Sequence, residues 1–370
     1  MDIAWIDGQP ATRDESLRAV GELLLRARQP LITGLRTDVS GLRAAFSFAR
    51  HCGGIIDHGE SASLYALVSA VRDGGAFLAA PAEMRRRADR VLIVGDMPGR
   101  IGSDILGMLS EVQPDLGVGT RGTDRRFMAL SRQTLNMPGG TEVSHLDCAS
   151  EAIVDVLGMV RAKLAGRRIG EGALGEQAVG TIGSFLSEAA FACVVFAPEE
   201  FGDLGTQQIF GLVSDLNETI RASTLPVLTY PDAMGAALQA TWTSGFPLRV
   251  SYGRGLAEHD PALLSSERQL SAEGEADLVV HIDSLPASGS PRTAFSKPAI
   301  VITAAEDGLA SANVVFKVAA AARDHDGVLY DARFGSFVAV AATTGSELPT
   351  AADILAALAE LIGQRDLVAA

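Results

Sequence analysis

Residues 88–98 read Ala88-Asp89-Arg90-Val91-Leu92-Ile93-Val94-Gly95-Asp96-Met97-Pro98. Residues 276–286 repeat the pattern as Ala276-Asp277-Leu278-Val279-Val280-His281-Ile282-Asp283-Ser284-Leu285-Pro286. Each copy runs Ala-Asp, five mostly apolar residues, a polar turn and Pro. A short run this apolar suits a strand covered on both faces, as in a parallel sheet. In such sheets ligands bind beyond the carboxyl ends of the strands. Gly95 lets the chain turn sharply or approach a ligand without a Cβ clash. Asp96 or Ser284 can cap the following segment, and Pro98 or Pro286 suits its first turn. Spacing alone leaves two readings open: two ligand-binding strand ends, or two ordinary strand exits.

Outward from the repeat, the pattern alternates strands with helices, which predicts an α/β fold with mainly parallel sheets. Residues 16–28 and 42–52 read as helices, the second closed by Gly53-Gly54. Pro30-Leu31-Ile32-Thr33-Gly34 and Ile55-Ile56-Asp57 read as short strands. Further on, helices are expected over 101–112, 151–164, 174–190, 209–222, 233–240 and 351–362. Strands are expected over 193–197, 227–230, 248–252, 299–303 and 314–318, with an irregular hairpin at 328–340 turning at Gly335.

The chain has 370 residues, enough for two α/β domains. Hydrophobic residues make up 47% and charged residues 21%, an ordinary globular composition. The mean hydropathy of +0.21 fits either an Ala- and Val-rich core or apolar surface buried against partner subunits. A net charge of −14 argues against nucleic acid, whose phosphates need a basic face. Residues 83–168 nonetheless hold 13 Lys/Arg against 11 Asp/Glu. That segment is the place to look for an anion site, or else a solvated helical face. Cys52, Cys148 and Cys193 are scattered and form no C-x-x-C pair, which argues against a thiolate-held cluster or zinc. The residues from Met1 to Trp5 carry no basic region, and the longest apolar run, 189–197, is far short of a membrane span. A cytoplasmic, soluble protein is expected.

Two G-x-G-x-x-G strings occur, at Gly117-Gly119-Gly122 and Gly170-Gly172-Gly175. Neither sits between a strand and a helix, so neither reads as a dinucleotide fingerprint. No P-loop, H-E-x-x-H or nucleophile elbow is present. The six histidines are dispersed; only His51 and His58 are near in sequence, and a surface or supporting role is expected for them.

The repeat and several further stretches carry a resemblance. These are Pro30-Leu31-Ile32-Thr33-Gly34, Gly54-Ile55-Ile56-Asp57, Asp215-Leu216-Asn217 and Thr241-Trp242-Thr243-Ser244-Gly245-Phe246-Pro247. Together they make the chain similar, over nearly its whole length, to the family of formylmethanofuran dehydrogenase B subunits, within the molybdopterin oxidoreductase superfamily. The Trp-x-x-Gly-aromatic-Pro run is the most distinctive piece. In redox members the two repeat loops contact the halves of a bis-pterin guanine dinucleotide. By that resemblance Gly95, Asp96, Pro98, Asp283, Ser284 and Pro286 stand at cofactor-loop positions, and Ser63 stands where a Cys or selenocysteine would ligate tungsten or molybdenum.

The chain departs from the redox pattern. It has no cysteine-rich segment for an iron–sulfur cluster, and Asp283 replaces the glycine of the first copy with a carboxylate that would repel a pyrophosphate. These losses resemble the cofactor-less branch formed by B subunits of the formyltransferase/hydrolase complex of methylotrophic bacteria. That resemblance implies a structural subunit with no catalytic residue, metal or cofactor of its own. It implies as partners an amidohydrolase-type A subunit, a C subunit and a formyltransferase D subunit. It implies two Rossmann-like domains, a discontinuous one of 1–82 plus 203–370 around an inserted one of 83–202, without an iron–sulfur domain. Two rival readings are a molybdenum or tungsten oxidoreductase with Ser63 as ligand, and a stand-alone enzyme binding an anion in 83–168.

Overall fold

A computed structural model describes residues 4–97, 99–117, 119, 124–286, 295–305 and 312–369, with side chains described as far as residue 363. Pro98 and Gly122 lie outside the described residues. In chain order the strands are β1 (Ala4–Ile6), β2 (Gln9–Ala11), β3 (Pro30–Arg36), β4 (Ile55–Ile56), β5 (Arg90–Val94), β6 (Arg126–Ser131), β7 (Val143–Asp147), β8 (Phe191–Phe196), β9 (Arg221–Pro226), β10 (Val250–Ser251), β11 (Glu258–His259), β12 (Leu278–Asp283), β13 (Ala299–Thr303), β14 (Val314–Lys317), β15 (Gly327–Asp331) and β16 (Ser336–Val340). The helices are α1 (Arg13–Arg26), α2 (Val39–Cys52), α3 (Ser61–Gly74), α4 (Pro81–Arg87), α5 (Gly99–Ser110), α6 (Ser150–Leu164), α7 (Glu176–Ser187), α8 (Pro198–Leu216), α9 (Pro231–Ser244), α10 (Ser266–Leu270) and α11 (Ala351–Ala369).

The chain divides into two compact units. One comprises Met1–Ala62, Asp232–Tyr330 and Phe337–Ala370; the other comprises Ser63–Pro231 and Asp331–Ser336. The expected limits of an inserted domain, 83 and 202, fall inside the second unit. That unit also takes in β9, which pairs in parallel with β8, and the segment around Leu78, which bridges to Thr224.

The second unit is built on a five-stranded sheet in the order β7-β6-β5-β8-β9, parallel throughout. Numbered by sequence this is 3-2-1-4-5, the doubly wound order whose crevice opens between the first and fourth strands. Val91 to Val94 and Ala192 to Phe196 are wholly buried, as central parallel strands require. One of their two faces packs on α5, where Ile105, Leu106 and Leu109 join Val91, Ile93, Cys193 and Val195 in one core.

The first unit carries a nine-stranded sheet in the order β11-β10-β4-β3-β12-β13-β14-β1-β2. Its middle five strands are parallel and follow the order 2-1-3-4-5, with the crevice between β3 and β12. Antiparallel strands extend both edges. Helix α1 starts at a reciprocal capping box between Thr12 and Glu15. Asp38 caps α2 through the Gly41 amide, and Gly53 ends it in the left-handed conformation.

One expected boundary is corrected. The helix expected over 209–222 stops at Leu216, and the strand expected over 227–230 lies instead at Arg221–Pro226. Asn217 makes the break. Its amide nitrogen donates to the carbonyls of Val213 and Ala222, and its side-chain oxygen accepts from the Ala222 amide, so a local turn replaces the next helical turn.

Candidate functional site at two sheet crevices

Both copies of the repeat lie at a crevice. The first copy contains β5, which neighbours β8 across the crevice of the second unit; the second contains β12, which neighbours β3 across that of the first. The Ala-Asp of each copy has one shared use. Asp89 accepts from the amides of Ala190 and Phe191, at 3.3 and 2.8 Å, where β8 begins. Asp277 accepts from the amides of Arg28 and Gln29, at 2.8 and 3.0 Å, just before β3. Each carboxylate thus clips the start of its own strand to the start of the strand across the crevice, satisfying two amides that no ladder reaches.

At the carboxyl end of the first copy, Gly95 turns with φ +76° and donates its amide to the Leu130 carbonyl at 2.9 Å. The next amide, of Asp96, donates to Glu200 Oε2 at 2.8 Å. Glu200 sits in the single helical turn 198–201, which Gly202, with φ +62°, separates from the rest of α8. A Cβ at residue 95 would stand 2.3 Å from Glu200 Oε2 and 2.6 Å from the Phe201 ring. The glycine is therefore required by the protein's own carboxylate. Burial pushes the Glu200 carboxyl above its ordinary value; the Asp96 amide opposes that shift and the Asp96 carboxylate adds to it.

At the second copy, β3 leaves the sheet through Gly34 and Leu35, both with positive φ, and the register shift brings Arg36 opposite Asp283. Asp283 Oδ1 lies 3.6 Å from Arg36 Nε, which also lies 3.7 Å from Asp232 Oδ2. Asp232 in turn accepts from His58 Nε2 at 3.1 Å, while His58 Nδ1 accepts from the Glu60 amide at 3.0 Å. These bonds place the ring proton on Nε2. Burial pushes the Asp232 carboxyl up, but the His58 hydrogen bond and the Arg36 charge outweigh it and hold Asp232 below the usual carboxylate value. Ser284 caps no helix: its amide donates to the Arg36 carbonyl at 2.7 Å and its hydroxyl to Thr37 Oγ1 at 2.7 Å. Pro286 is exposed.

Asp57 of the Ile-Asp pair is fully buried. Its Oδ2 accepts from the Ser61 hydroxyl and the Ser266 amide, each at 2.7 Å. Arg249 reaches Ser61 Oγ with Nε at 3.3 Å and Nη2 at 3.1 Å. Burial is the main cause that raises the Asp57 carboxyl, against the Arg249 charge. Ser63, the third residue of α3, is half-buried. Among the described residues no group of three His, Cys, Asp or Glu side chains is placed to hold a metal. His51 is exposed and His58 buried.

Much of the positive charge of the segment 83–168 is spent within the fold, while Arg126, Arg132, Arg167 and Arg168 stand exposed. Arg85, Arg86, Arg87, Arg90, Arg100, Arg161 and Lys163 each pair with a carboxylate. Arg125 is buried and donates to the backbone carbonyls of Ala88 and Val112, both at 2.7 Å. Desolvation pushes its guanidinium down to about 10.

The residues at the two crevices do not suit a dinucleotide. A pyrophosphate oxygen at the first would need the Asp96 amide that Glu200 already holds, and would meet that carboxylate. At the second, the Ser284 amide is spent on Arg36, and Asp283 presents a second carboxylate. Sequence reasoning had Asp283 but missed Glu200, Asp232 and Arg249, which lie far along the chain from the residues they meet.

No family model matches the sequence. The chain is 32% identical over 363 residues to the B subunit of the formyltransferase/hydrolase complex of Methylorubrum extorquens, covering 95% of this chain and 96% of that protein. It is 22% identical over 337 residues to the B subunit of a tungsten-containing formylmethanofuran dehydrogenase of Methanocaldococcus jannaschii, covering 86% of this chain and 75% of that protein. Among solved structures, a chain of the Methylorubrum extorquens formyltransferase/hydrolase complex with methylofuran superposes with a TM-score of 0.89 at 31% identity, over 98% of this chain and 99% of that one. Near-complete coverage in both directions, with both repeat copies set at sheet crevices, assigns the family: the chain belongs to the B subunits of the formyltransferase/hydrolase complex.

Proposed function

We propose that the chain is a non-catalytic structural subunit of a formyltransferase/hydrolase complex. That complex transfers a formyl group from tetrahydromethanopterin to a methanofuran analogue and hydrolyses it to formate. The formyl chemistry resides in partners: an amidohydrolase-type A subunit and a formyltransferase D subunit, held with a C subunit and this chain. The chain holds neither cofactor nor metal and works in the cytoplasm; no helix among its described residues is long and apolar enough to cross a membrane. It has two domains, a discontinuous one expected at 1–82 plus 203–370 and an inserted one expected at 83–202; the two compact units move these limits to about 62 and 231, with Asp331–Ser336 added to the second.

One observation supports this reading: a carboxylate of the chain stands at each strand exit, Glu200 on the Asp96 amide and Asp283 against Arg36. By the resemblance, redox members use these two loops for a bis-pterin guanine dinucleotide. Ser63 stays the vestige of a ligand position. The test is to purify the tagged chain from its native host, identify its partners by mass and measure molybdenum and tungsten. Recovery of the three partner subunits with metal far below one atom per chain supports the reading. Stoichiometric metal with extractable pterin would overturn it in favour of an oxidoreductase using Ser63.

A further inference from the structure

The first unit carries a groove of about 1140 Å3 between one side of α2, the end of α9 and the loop after β10. Its lining is unlike the rest of the chain. Arg43, Arg50 and His51 line it, and no Asp or Glu does, in a protein whose net charge is −14. Arg43, Ser47, Arg50 and His51 fall on the outward side of α2, whose opposite side is buried through Leu42, Ala45 and Ala49, with buried Phe46 at the floor of the groove. No ion pair of Arg43 or Arg50 is found among the described residues.

Two of the most exposed large apolar side chains stand on the same groove, Trp242 at 63% exposure and Leu256 at 76%. Trp242 belongs to the Trp-x-x-Gly-aromatic-Pro run. Its ring is braced by Phe337 with centroids 5.0 Å apart, so it is held out toward solvent at little further cost in freedom. Exposed Trp and Arg around an apolar centre are the residue types that anchor protein interfaces.

We propose that this groove docks an extended acidic segment of another subunit of the complex, its carboxylates on Arg43 and Arg50 and an apolar residue against Trp242 and Leu256. This rests on the reading of the chain as a structural subunit. The spacing supports a peptide over a compact anion. Arg43 and Arg50 lie seven residues apart on one helix side, about 10 Å along the axis. A segment in the extended polyproline II conformation rises about 9 Å over three residues and returns to the same face, so carboxylates at positions i and i+3 meet both guanidiniums. A peptide can also lay an apolar side chain on Trp242 and Leu256 beside the arginines, which a compact anion does not.

The experiment uses the complete complex and the full-length chain. Amide hydrogen exchange across α2 and α9 is compared in the isolated chain and the complex, and assembly affinity is measured for wild type, Arg43→Glu/Arg50→Glu, Arg43→Lys/Arg50→Lys and Trp242→Ala. Circular dichroism and Tm check that each variant is folded. Assembly should slow exchange at the groove. The charge reversal and Trp242→Ala should each weaken assembly about tenfold or more, the reversal less so in high salt, with the lysine pair close to wild type. Unchanged exchange, or folded variants that assemble like wild type, would overturn the docking site while leaving the chain a member of the complex. A groove already shielded in the isolated chain by self-association would overturn it in favour of a second copy. Failure of the wild-type chain to assemble at all would overturn both readings.

Discussion

Glu200 Oε2 accepts the amide of Asp96 at 2.8 Å, a bond joining residues 104 positions apart across the crevice between β5 and β8. The bond explains the glycine before it. Gly95→Ala should cost about 1–2 kcal/mol for its left-handed backbone alone, and more for the Cβ set 2.3 Å from Glu200 Oε2. Removing the carboxylate as well, in Gly95→Ala/Glu200→Ala, should recover part of the contact cost. A double-mutant cycle of urea midpoints measures the coupling; strict additivity would show that the two residues do not confront each other.

The Glu200 carboxyl also makes a pH prediction. Its folded value is raised above the ordinary 4.5 mainly by burial, so the folded state holds its proton more tightly than the unfolded chain. Its contribution is fully present below 4.5 and is lost as pH rises through the folded value. Glu200→Gln keeps an acceptor for the Asp96 amide and cannot ionise. It should therefore flatten the stability profile just above pH 4.5, read by denaturant titration at several pH values.

Asp232 has the opposite sign. Its carboxyl is held below 3.8, with the His58 hydrogen bond and Arg36 outweighing the cost of burial. Its contribution is present above 3.8 and is lost as pH falls through the lower folded value. Asp232→Asn should reduce the loss of stability on acidification. His58→Ala should strip the carboxylate of its buried donor and destabilise the chain by about 1–3 kcal/mol.

The two clips should differ in weight. Asp89 is buried and Asp277 exposed, although each accepts from two successive amides. Asp89→Ala leaves the Ala190 and Phe191 amides without their acceptor away from water and should cost about 2–4 kcal/mol. Asp277→Ala exposes its amides to solvent and should cost about 1 kcal/mol. Equal losses in guanidinium unfolding would contradict this use of burial.

Much of the fold was legible because central parallel strands are apolar on both faces. Val91 to Val94, Cys193 to Phe196 and Leu278 to Ile282 read directly as strands. The β9 boundary was missed because Asn217 ends α8 with side-chain hydrogen bonds, which leave no mark in hydrophobic period. Helices α3 and α4 went unnoticed: α3 is apolar on several sides, and α4 is a short run ending in three arginines. At the candidate site, Gly95 and Asp283 were visible as motif positions. Their partners Glu200 and Arg36 were not, since only the packing of one strand beside another sets them face to face.

The clips formed by Asp89 and Asp277 divide the repeated phrase into two halves with separate employment. Its opening ties one strand start to the next and belongs to the architecture; only its close faces the place where a ligand would stand. A chain can therefore give up the ligand and still need the opening half to fold. Finding the phrase in a sequence identifies the sheet; what stands opposite its last amide, here Glu200 at one exit and Arg36 at the other, decides whether anything binds there.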